Sequence, residues 1–457
     1  MSTPAPGDGR VDPDGLAGVA AGVVARAGNG EQVEAYVVRS TSLEIRVCDG
    51  AVEQLSSATS AGVGVRVVTG GREGTAWAGS LAPEIVAAAL VDARDNAGFT
   101  TPDEHAGLAV PDGVAPVELD QWSEDVAAVP TADKVAFAAD VERRIRADRR
   151  VRALRWVSVN DTRTEQAVAT STGIAAARRS TAAWCSAMAI AGTGDDTSTG
   201  SGLTFGRGWA GLDPDRVVDE AVNRSTRMIG ARKPGSDRLP VVLDPDVAAA
   251  VVGYVASLCN GEAVLKGRSL FADRLGEVVA APAFTLVEDP TNPAALTAAA
   301  FDAEGLATRP TTLIDAGVLA AFLYDTRWGR AAGRPSTASA RRGLGGPPGV
   351  GVRAVAPVPG PLSADEILAA VGDGLYVQSV SGLHSGVDPV SGDLSVGAEG
   401  LMVRGGALAE PVKECTVAST LPRMLSGVAH LGADLEWGPG SSARLTVAID
   451  EMSLSGA

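Results

Sequence analysis

Residues 376–420 read YVQSVSGLHSGVDPVSGDLSVGAEGLMVRGGALAEPVKECTVAST. Alternation of apolar and small polar residues, broken by Ser-Gly and Gly-Gly pairs, predicts strands joined by tight turns. Within it His384, Ser385, Asp388, Ser391, Asp393, Ser395 and Glu399 are packed between glycines. A bland strand-turn-strand region does not need so many short polar side chains. They suit a surface that faces a polar cavity, a peptide ligand or a subunit interface, and these seven are the candidate site residues.

Outward from this stretch, the chain is long enough for two or three domains, with 457 residues of which 45% are hydrophobic. The formal net charge is −16, and no basic, aromatic-laced patch offsets it. Phosphate backbones and anionic membranes repel such a surface, so nucleic acid and membrane partners are not expected. The start, MSTPAPGDGRVDPDG, lacks a basic segment followed by an apolar run and does not read as a signal peptide. The longest apolar run, VAAAVVGYVASLC at 247–259, is too short to span a bilayer and reads as a buried helix. A cytoplasmic protein is expected. Cys48, Cys185, Cys259 and Cys415 are scattered without a C-x-x-C and read as small buried or half-buried hydrophobes.

The chain divides into three units, with boundaries expected at 14–100, 118–232 and 238–457. The first is a helix over 14–28, strands turning at Asp49-Gly50 and Gly70-Gly71, and an amphipathic helix over 81–98. A Pro/Gly/Asp-rich linker covers 101–130. The second unit opens with a helix over 130–149, capped by Thr131. Strands follow with a turn at Thr172-Gly173, then a flexible loop over 192–202 and a helix over 212–231. The third opens with a strand and a helix led by Asp244-Pro245-Asp246, and continues mostly as strands with short helices. Residues 334–355 read as a mobile loop. The expected fold class is α+β, with small mixed α/β units before a larger, mainly β C-terminal domain.

Chemical motifs are scarce. The chain contains no H-E-x-x-H, G-x-S-x-G or S-x-x-K. Its three histidines, His105, His384 and His430, have no His or Cys neighbour at helical i+4 spacing, so a zinc site with the usual N and S ligands would have to be assembled from distant residues. His384 adjoins Ser385, but neighbours on a strand point to opposite faces, which disfavours that pair in a triad. His384 therefore reads as a hydrogen-bonded structural histidine, His105 as a linker residue and His430 as a residue at a helix end. GLGGPPGVGV has no Lys-Ser/Thr after it and reads as a flexible loop, not a phosphate cradle. Asp393 and Glu399 are a carboxylate pair to weigh for acid-base work, although Gly-Asp at a turn is usually turn chemistry.

Three stretches together resemble the TldD/PmbA family, often called modulators of DNA gyrase. They are VEQLSSATSAGVGVRVVTGGREGTAWAG (52–79), FDAEGLATRPTTLIDAGVLAAFLYDT (301–326) and HSGVDPVSGDLSVGAEGLMVRGG (384–406). The resemblance implies one fold with two branches. The TldD-like branch is a zinc metallopeptidase, with H-E-x-x-x-H on the helix that opens the C-terminal domain and a later C-G-K cysteine. The PmbA, or TldE, branch lacks these ligands and pairs with a TldD-like chain. Here the corresponding helix offers Ala256, Ser257, Leu258, Cys259 and Asn260, and no cysteine follows Cys415. The resemblance is therefore to the PmbA branch. It implies no cofactor in this chain, zinc in a TldD-like partner subunit carrying H-E-x-x-x-H, and a peptide or peptide-like amide as substrate. A free-standing amide hydrolase with its own site and a chaperone-like peptide-binding module are the alternatives.

Overall fold

The computed structural model describes residues 13–456; most of the polar N-terminal stretch read above as unlike a signal peptide lies outside the described residues. Helix α1 (Pro13–Val24) leads into a meander of β1 (Glu31–Cys48), β2 (Ala51–Thr69) and β3 (Arg72–Ala78), followed by α2 (Pro83–Phe99). The first turn is as expected. Asp49 and Gly50 both have positive φ, 53° and 75°, the geometry that matches the twist of a two-residue hairpin. Their backbone amides donate to the two carboxylate oxygens of Glu142, at 2.7 and 2.9 Å. That carboxylate belongs to α3 (Thr131–Arg146), so the hairpin tip is bonded to a helix of the next unit.

β4 (Val151–Thr170), β5 (Ala175–Ala191) and β6 (Ser198–Gly206) continue the sheet, and α4 (Pro214–Thr226) closes the region. The strand order is β3-β2-β1-β4-β5-β6, antiparallel throughout. The β1–β4 register runs from Glu34↔Thr170 to Val47↔Val157, so one sheet spans the first two units. Period-2 alternation explains the layering. Val33, Ala35, Val37, Ile45 and Val47 of β1 point to one face, where α1 and α2 cover one end and α3 and α4 the other. Glu34 and Tyr36 point to the opposite face, toward the C-terminal region.

Two local expectations change here. Thr131 is the first helical residue and makes no cap bond; Pro130 precedes it in extended geometry. Residues 198–202, read as loop because of their Gly/Ser/Thr content, form the start of β6. Gly200 and Gly202 lack side chains because α4 lies directly on them: a Cβ would come within 2.2 Å of Ser225 N and 2.0 Å of Val217 O.

The C-terminal region opens with β7 (Asp237–Leu243) and α5 (Pro245–Leu258), whose N-cap is Asp244. After a loop-rich stretch come α6 (Ala364–Val371), β8 (Gly374–Ser381), β9 (Asp393–Arg404), β10 (Ala407–Thr420), β11 (Val428–Leu431) and β12 (Val447–Ser455). Their order is β10-β9-β8-β7-β12-β11. A further β10–β12 pairing from Thr416↔Ser455 to Ala418↔Ser453 curls the sheet closed. Val241, Leu243, Val377, Val396, Val417, Ile449 and Leu454 belong to the large core with α5. Val242, Tyr376, Leu401, Val403 and Ala448 point the other way and pack with Ile367 and Leu368 of α6. The small mixed elements before a β-rich C-terminal region are those of the expected α+β fold.

The segment 334–355, read as a mobile loop, is instead anchored. Arg342 donates to Glu34, and both side chains are almost fully buried. Arg66 of β2 donates to the same Glu34 at 3.1 Å and to Glu304 at 3.3 Å. Asp302 lies in the same junction, accepting from the amides of Glu304, Leu306 and Ala340. Glycine content gave the segment its loop character, but buried charges must be paired, and that need fixes it here.

Candidate functional site

The seven candidate residues fall into two groups. The turn between β8 and β9 carries four of them, and Asp393, the first residue of β9, closes it. Asp388 Oδ1 accepts from the amides of Val390 and Ser391, both at 2.8 Å, and these bonds hold its carboxyl below the usual range. Ser391 Oγ donates to Asp393 Oδ2 at 2.9 Å, and Ser385 Oγ donates to Gly382 O at 3.3 Å. The backbone closes the same turn: the amides of Asp388 and Ser395 donate to Asp393 O and Gly386 O at 2.9 and 2.8 Å. Asp388, Ser391 and Asp393 thus hold the turn's shape.

His384 is exposed in this turn and is not the hydrogen-bonded structural histidine expected; it and Ser385 sit on a bend where strand alternation does not apply. No hydrogen bond joins the two among the described residues. His105 is a half-exposed residue 3.8 Å from Glu104. His430 lies in β11, not at a helix end.

Ser395 and Glu399 form the second group. They are exposed on β9, alternating with buried Leu394, Val396 and Ala398. Glu399 lies six steps along the strand from Asp393, roughly 20 Å, so the two do not form a carboxylate pair. Glu399 instead lines a hollow of about 270 Å³ with Ser379, Ser381, Glu414 and Cys415. The ladder is irregular here, with register shifts after Val377 and Ala398 and a positive φ of 53° at Glu414. Cys415 Sγ donates to Ala398 O at 3.1 Å, and burial pushes its thiol pKa up.

Ser379 and Val380 also border a second hollow, of about 400 Å³, between the two large sheets. Its other walls include Thr199, Gly200 and Ser201 of β6, Arg224 of α4, and Asp246 and Gln378. These residues escaped the sequence reading, except that Asp244-Pro245-Asp246 was seen as a helix start. Asp244 does more than cap. Its carboxylate meets Arg224 at 3.0 Å and accepts from Tyr376 Oη at 2.6 Å. Gln378 Nε2 donates to Arg224 O at 3.0 Å, and Arg227 donates to Gln378 Oε1. The hollow's floor is thus a closed set of charge-assisted bonds, which holds the surface in one shape.

The helix end where zinc ligands would fall was tested against its donor set. Ala256 and Leu258 are core residues. Ser257 Oγ donates to Tyr254 O at 2.6 Å. Cys259 is buried, desolvation pushes its thiol up to about 12, and its Sγ lies 3.9 Å from Val255 O within its own helix. Asn260 Oδ1 accepts from the amides of Glu262 and Ala263 while Nδ2 donates to Val350 O at 3.0 Å. These residues do not fit a zinc ion. Among the described residues no group of three His, Cys, Asp or Glu is placed to hold a metal.

Comparison with known proteins gives the same family over most of the chain. The chain matches the PmbA/TldA metallopeptidase domain 1 over 33–97, the central domain over 124–229 and the C-terminal domain over 236–456. It is 27% identical over 411 residues to metalloprotease PmbA of Escherichia coli O157:H7, covering 90% of this chain and 89% of the relative. It is 26% identical over 431 residues to the PmbA homolog of Haemophilus influenzae, covering 93% of each. Among solved structures, a protein described as a modulator of DNA gyrase from Thermotoga maritima superposes with a TM-score of 0.87 at 22% identity. That match covers 97% of this chain and 99% of the other. TldE from Thermococcus kodakarensis gives 0.86 at 22% identity, covering 93% and 97%.

Proposed function

The chain belongs to the PmbA/TldD metallopeptidase family, and from that premise we propose that it is the metal-free, non-catalytic subunit of a heterodimeric TldD/TldE-type zinc peptidase. The observation that carries the reading is the end of α5. Where a TldD-like chain is expected to place its two histidines, this chain has core alanine and leucine, a buried thiol and an asparagine already committed to backbone groups. Zinc supplies a Lewis acid and an activated water for amide hydrolysis, and on this reading both reside in the partner subunit carrying H-E-x-x-x-H.

This chain's own work is then to complete the substrate path and hold an extended peptide or peptide-like amide. The two hollows that share Ser379 and Val380 support that role, as does β6, the last strand of its sheet, beside one of them. An extended segment could hydrogen-bond to such an edge by strand addition. His384, Ser385, Asp388, Ser391, Asp393, Ser395 and Glu399 are proposed to face substrate or partner; of these, Glu399 lines one of the two hollows. Peptide maturation, natural-product tailoring and degradation of unfolded chains all fit, in a cytoplasmic setting.

The test is affinity purification of the tagged full chain from its native cells, with partners identified by mass spectrometry. A stoichiometric family member carrying H-E-x-x-x-H is expected, with amide hydrolysis by the pair and none by this chain alone. Recovery without such a partner, or chelator-resistant hydrolysis by the isolated chain, would overturn the proposal.

A further inference from the structure

β5 shows its two faces in its burial. Odd-numbered positions from 181 to 191 are buried, with Cys185, Ala187 and Ala189 in the core under α3 and α4, while the even-numbered positions are half-buried on the other face. Arg178 belongs to the even series. Its Nε donates to Gln166 Oε1 at 2.7 Å, and its guanidinium lies 5.8 Å from the centre of the Phe301 ring. Its two terminal nitrogens make no hydrogen bond among the described residues. Phe301 packs in turn with Tyr36 of β1. Tyr36 is only 7% exposed, yet its Oη has no hydrogen-bond partner among the described residues.

Two more arginines reach the same place from the C-terminal region. Ala340-Arg341 pairs antiparallel with Gly349-Val350. Arg341 donates to Val352 O at 2.7 Å, and Arg353 donates back to Ala340 O at 3.4 Å. Arg353 is 8% exposed, and its Nε is buried without a partner. Unlike Arg66 and Arg342, none of Arg178, Arg341 and Arg353 forms an ion pair among the described residues. Burial pushes the Arg353 guanidinium down to about 9, and the charges of Arg178 and Arg341 push the same way. Arg178 is itself held low by burial and by the charges of Arg341 and Arg207. Asp302 and Glu288 are near Arg353, but their oxygens accept from backbone amides, and burial raises both to about 7.

Like charges held together away from water are costly without a counter-ion, and the unpaired Tyr36 Oη and Arg353 Nε add to that cost. We propose that Arg178, Arg341, Arg353 and Tyr36 form a site for a carboxylate carried by a peptide, either its chain-end carboxylate or an Asp or Glu side chain. The planar fork of a guanidinium matches a carboxylate in two parallel bonds, and the Tyr36 hydroxyl supplies a further donor. Phe301, beneath Arg178, also walls an adjoining hollow of about 340 Å³ with Ile174, Ala176 and Leu306, where an apolar neighbouring group fits. On the same face of β5, Met188 borders the 400 Å³ hollow described above, ten residues and roughly 33 Å along the strand. An extended peptide of about ten residues spans that distance. The inference rests on the reading of this chain as a peptide-holding subunit and names the feature of the peptide that is recognised.

The test is isothermal titration of the purified full chain, without any partner, with four probes. These are acetyl-Ala-Ala-Ala as the free acid, the same peptide as its amide, acetyl-Ala-Glu-Ala amide, and inorganic phosphate. At least one carboxylate peptide is expected to bind at least 10-fold more tightly than the neutral amide, and which of the two does so names the source of the carboxylate. Arg178→Gln and Arg341→Gln should each weaken that binding at least 10-fold. Arg341 is exposed, so its variant decides the matter if circular dichroism shows Arg178→Gln to be misfolded. Equal binding of acid and amide, no binding of either carboxylate peptide, tighter binding of phosphate than of both, or undiminished binding by the folded variants would each overturn the inference. A zinc-bearing partner recovered from cells alongside any of those results would sink this site and leave the subunit reading standing. Carboxylate binding with no such partner would do the reverse.

Discussion

Glu34 and Arg342, 308 residues apart in the chain, form a buried ion pair between the N-terminal sheet and the C-terminal region. Arg66 shares the same carboxylate from the neighbouring strand, and Glu304 balances Arg66. A desolvated pair of this kind adds little net stability over an apolar packing, but breaking it leaves a bare charge in the interior.

Arg342→Ala is therefore expected to destabilise by about 3 kcal/mol or more, because Glu34 and Glu304 would then share one guanidinium. Urea unfolding followed by circular dichroism measures this. A loss below about 1 kcal/mol would mean that the junction relaxes or hydrates, and that the anchoring of segment 334–355 is weak.

Asp325 lies in the same junction. Burial and the nearby Glu304 charge raise its carboxyl to about 7, and burial raises Asp302 to about 7 as well. Their unfolded values are near 4, so between about pH 4 and 7 the native state holds more protons than the unfolded state. The stability these groups contribute is full at the acid end of that window and is lost as pH rises through 7. Asp325→Asn should flatten the fall in melting temperature between pH 5 and pH 8, with a relative gain on the order of 1–3 kcal/mol at pH 8. An unchanged pH profile would show that Asp325 is ionised throughout.

Glu142 accepts from both amides of the Asp49-Gly50 turn and is itself almost fully buried. Glu142→Ala strips two donors at once and should cost about 2 kcal/mol, with faster amide exchange at 48–51. Glu142→Gln, which keeps one acceptor, should lose less. Equal losses in the two variants would place the effect in helix packing and not in the turn.

The site assignment predicts a contrast. His384 is exposed, so His384→Ala should leave stability within about 0.5 kcal/mol while lowering activity or assembly of the complex. Asp388→Ala should disturb the turn, because two backbone amides lose their acceptor. If His384→Ala changes neither activity nor assembly, the turn does not face substrate or partner.

Metal chemistry offers a further check on the isolated chain. Because the end of α5 has no zinc donor set, a chelator or added zinc should leave its melting temperature unchanged. A zinc-dependent rise of several degrees would reveal a site built from other residues.

Local pattern carried much of this protein. Asp49-Gly50 and Gly70-Gly71 announce hairpins because their backbones require positive φ, and Asp244-Pro245 announces a helix start through capping and a preset φ. The lack of histidine at the end of α5 and of cysteine after Cys415 was likewise legible, since a metal site depends on residue identity. Tertiary contact decided the rest. Gly200 and Gly202 form a strand because a helix needs the space above them, and a Gly-rich loop is pinned because Glu34 needs a buried cation. The Asp244, Arg224, Tyr376 and Gln378 floor joins residues over 100 positions apart, so no local window contains it. The seven candidate polar residues show the same boundary. Their composition marked a polar surface, but only the chain's path could separate those that shape a turn from Glu399, which borders a hollow: hydrogen-bond partners are set by proximity in space, not in sequence.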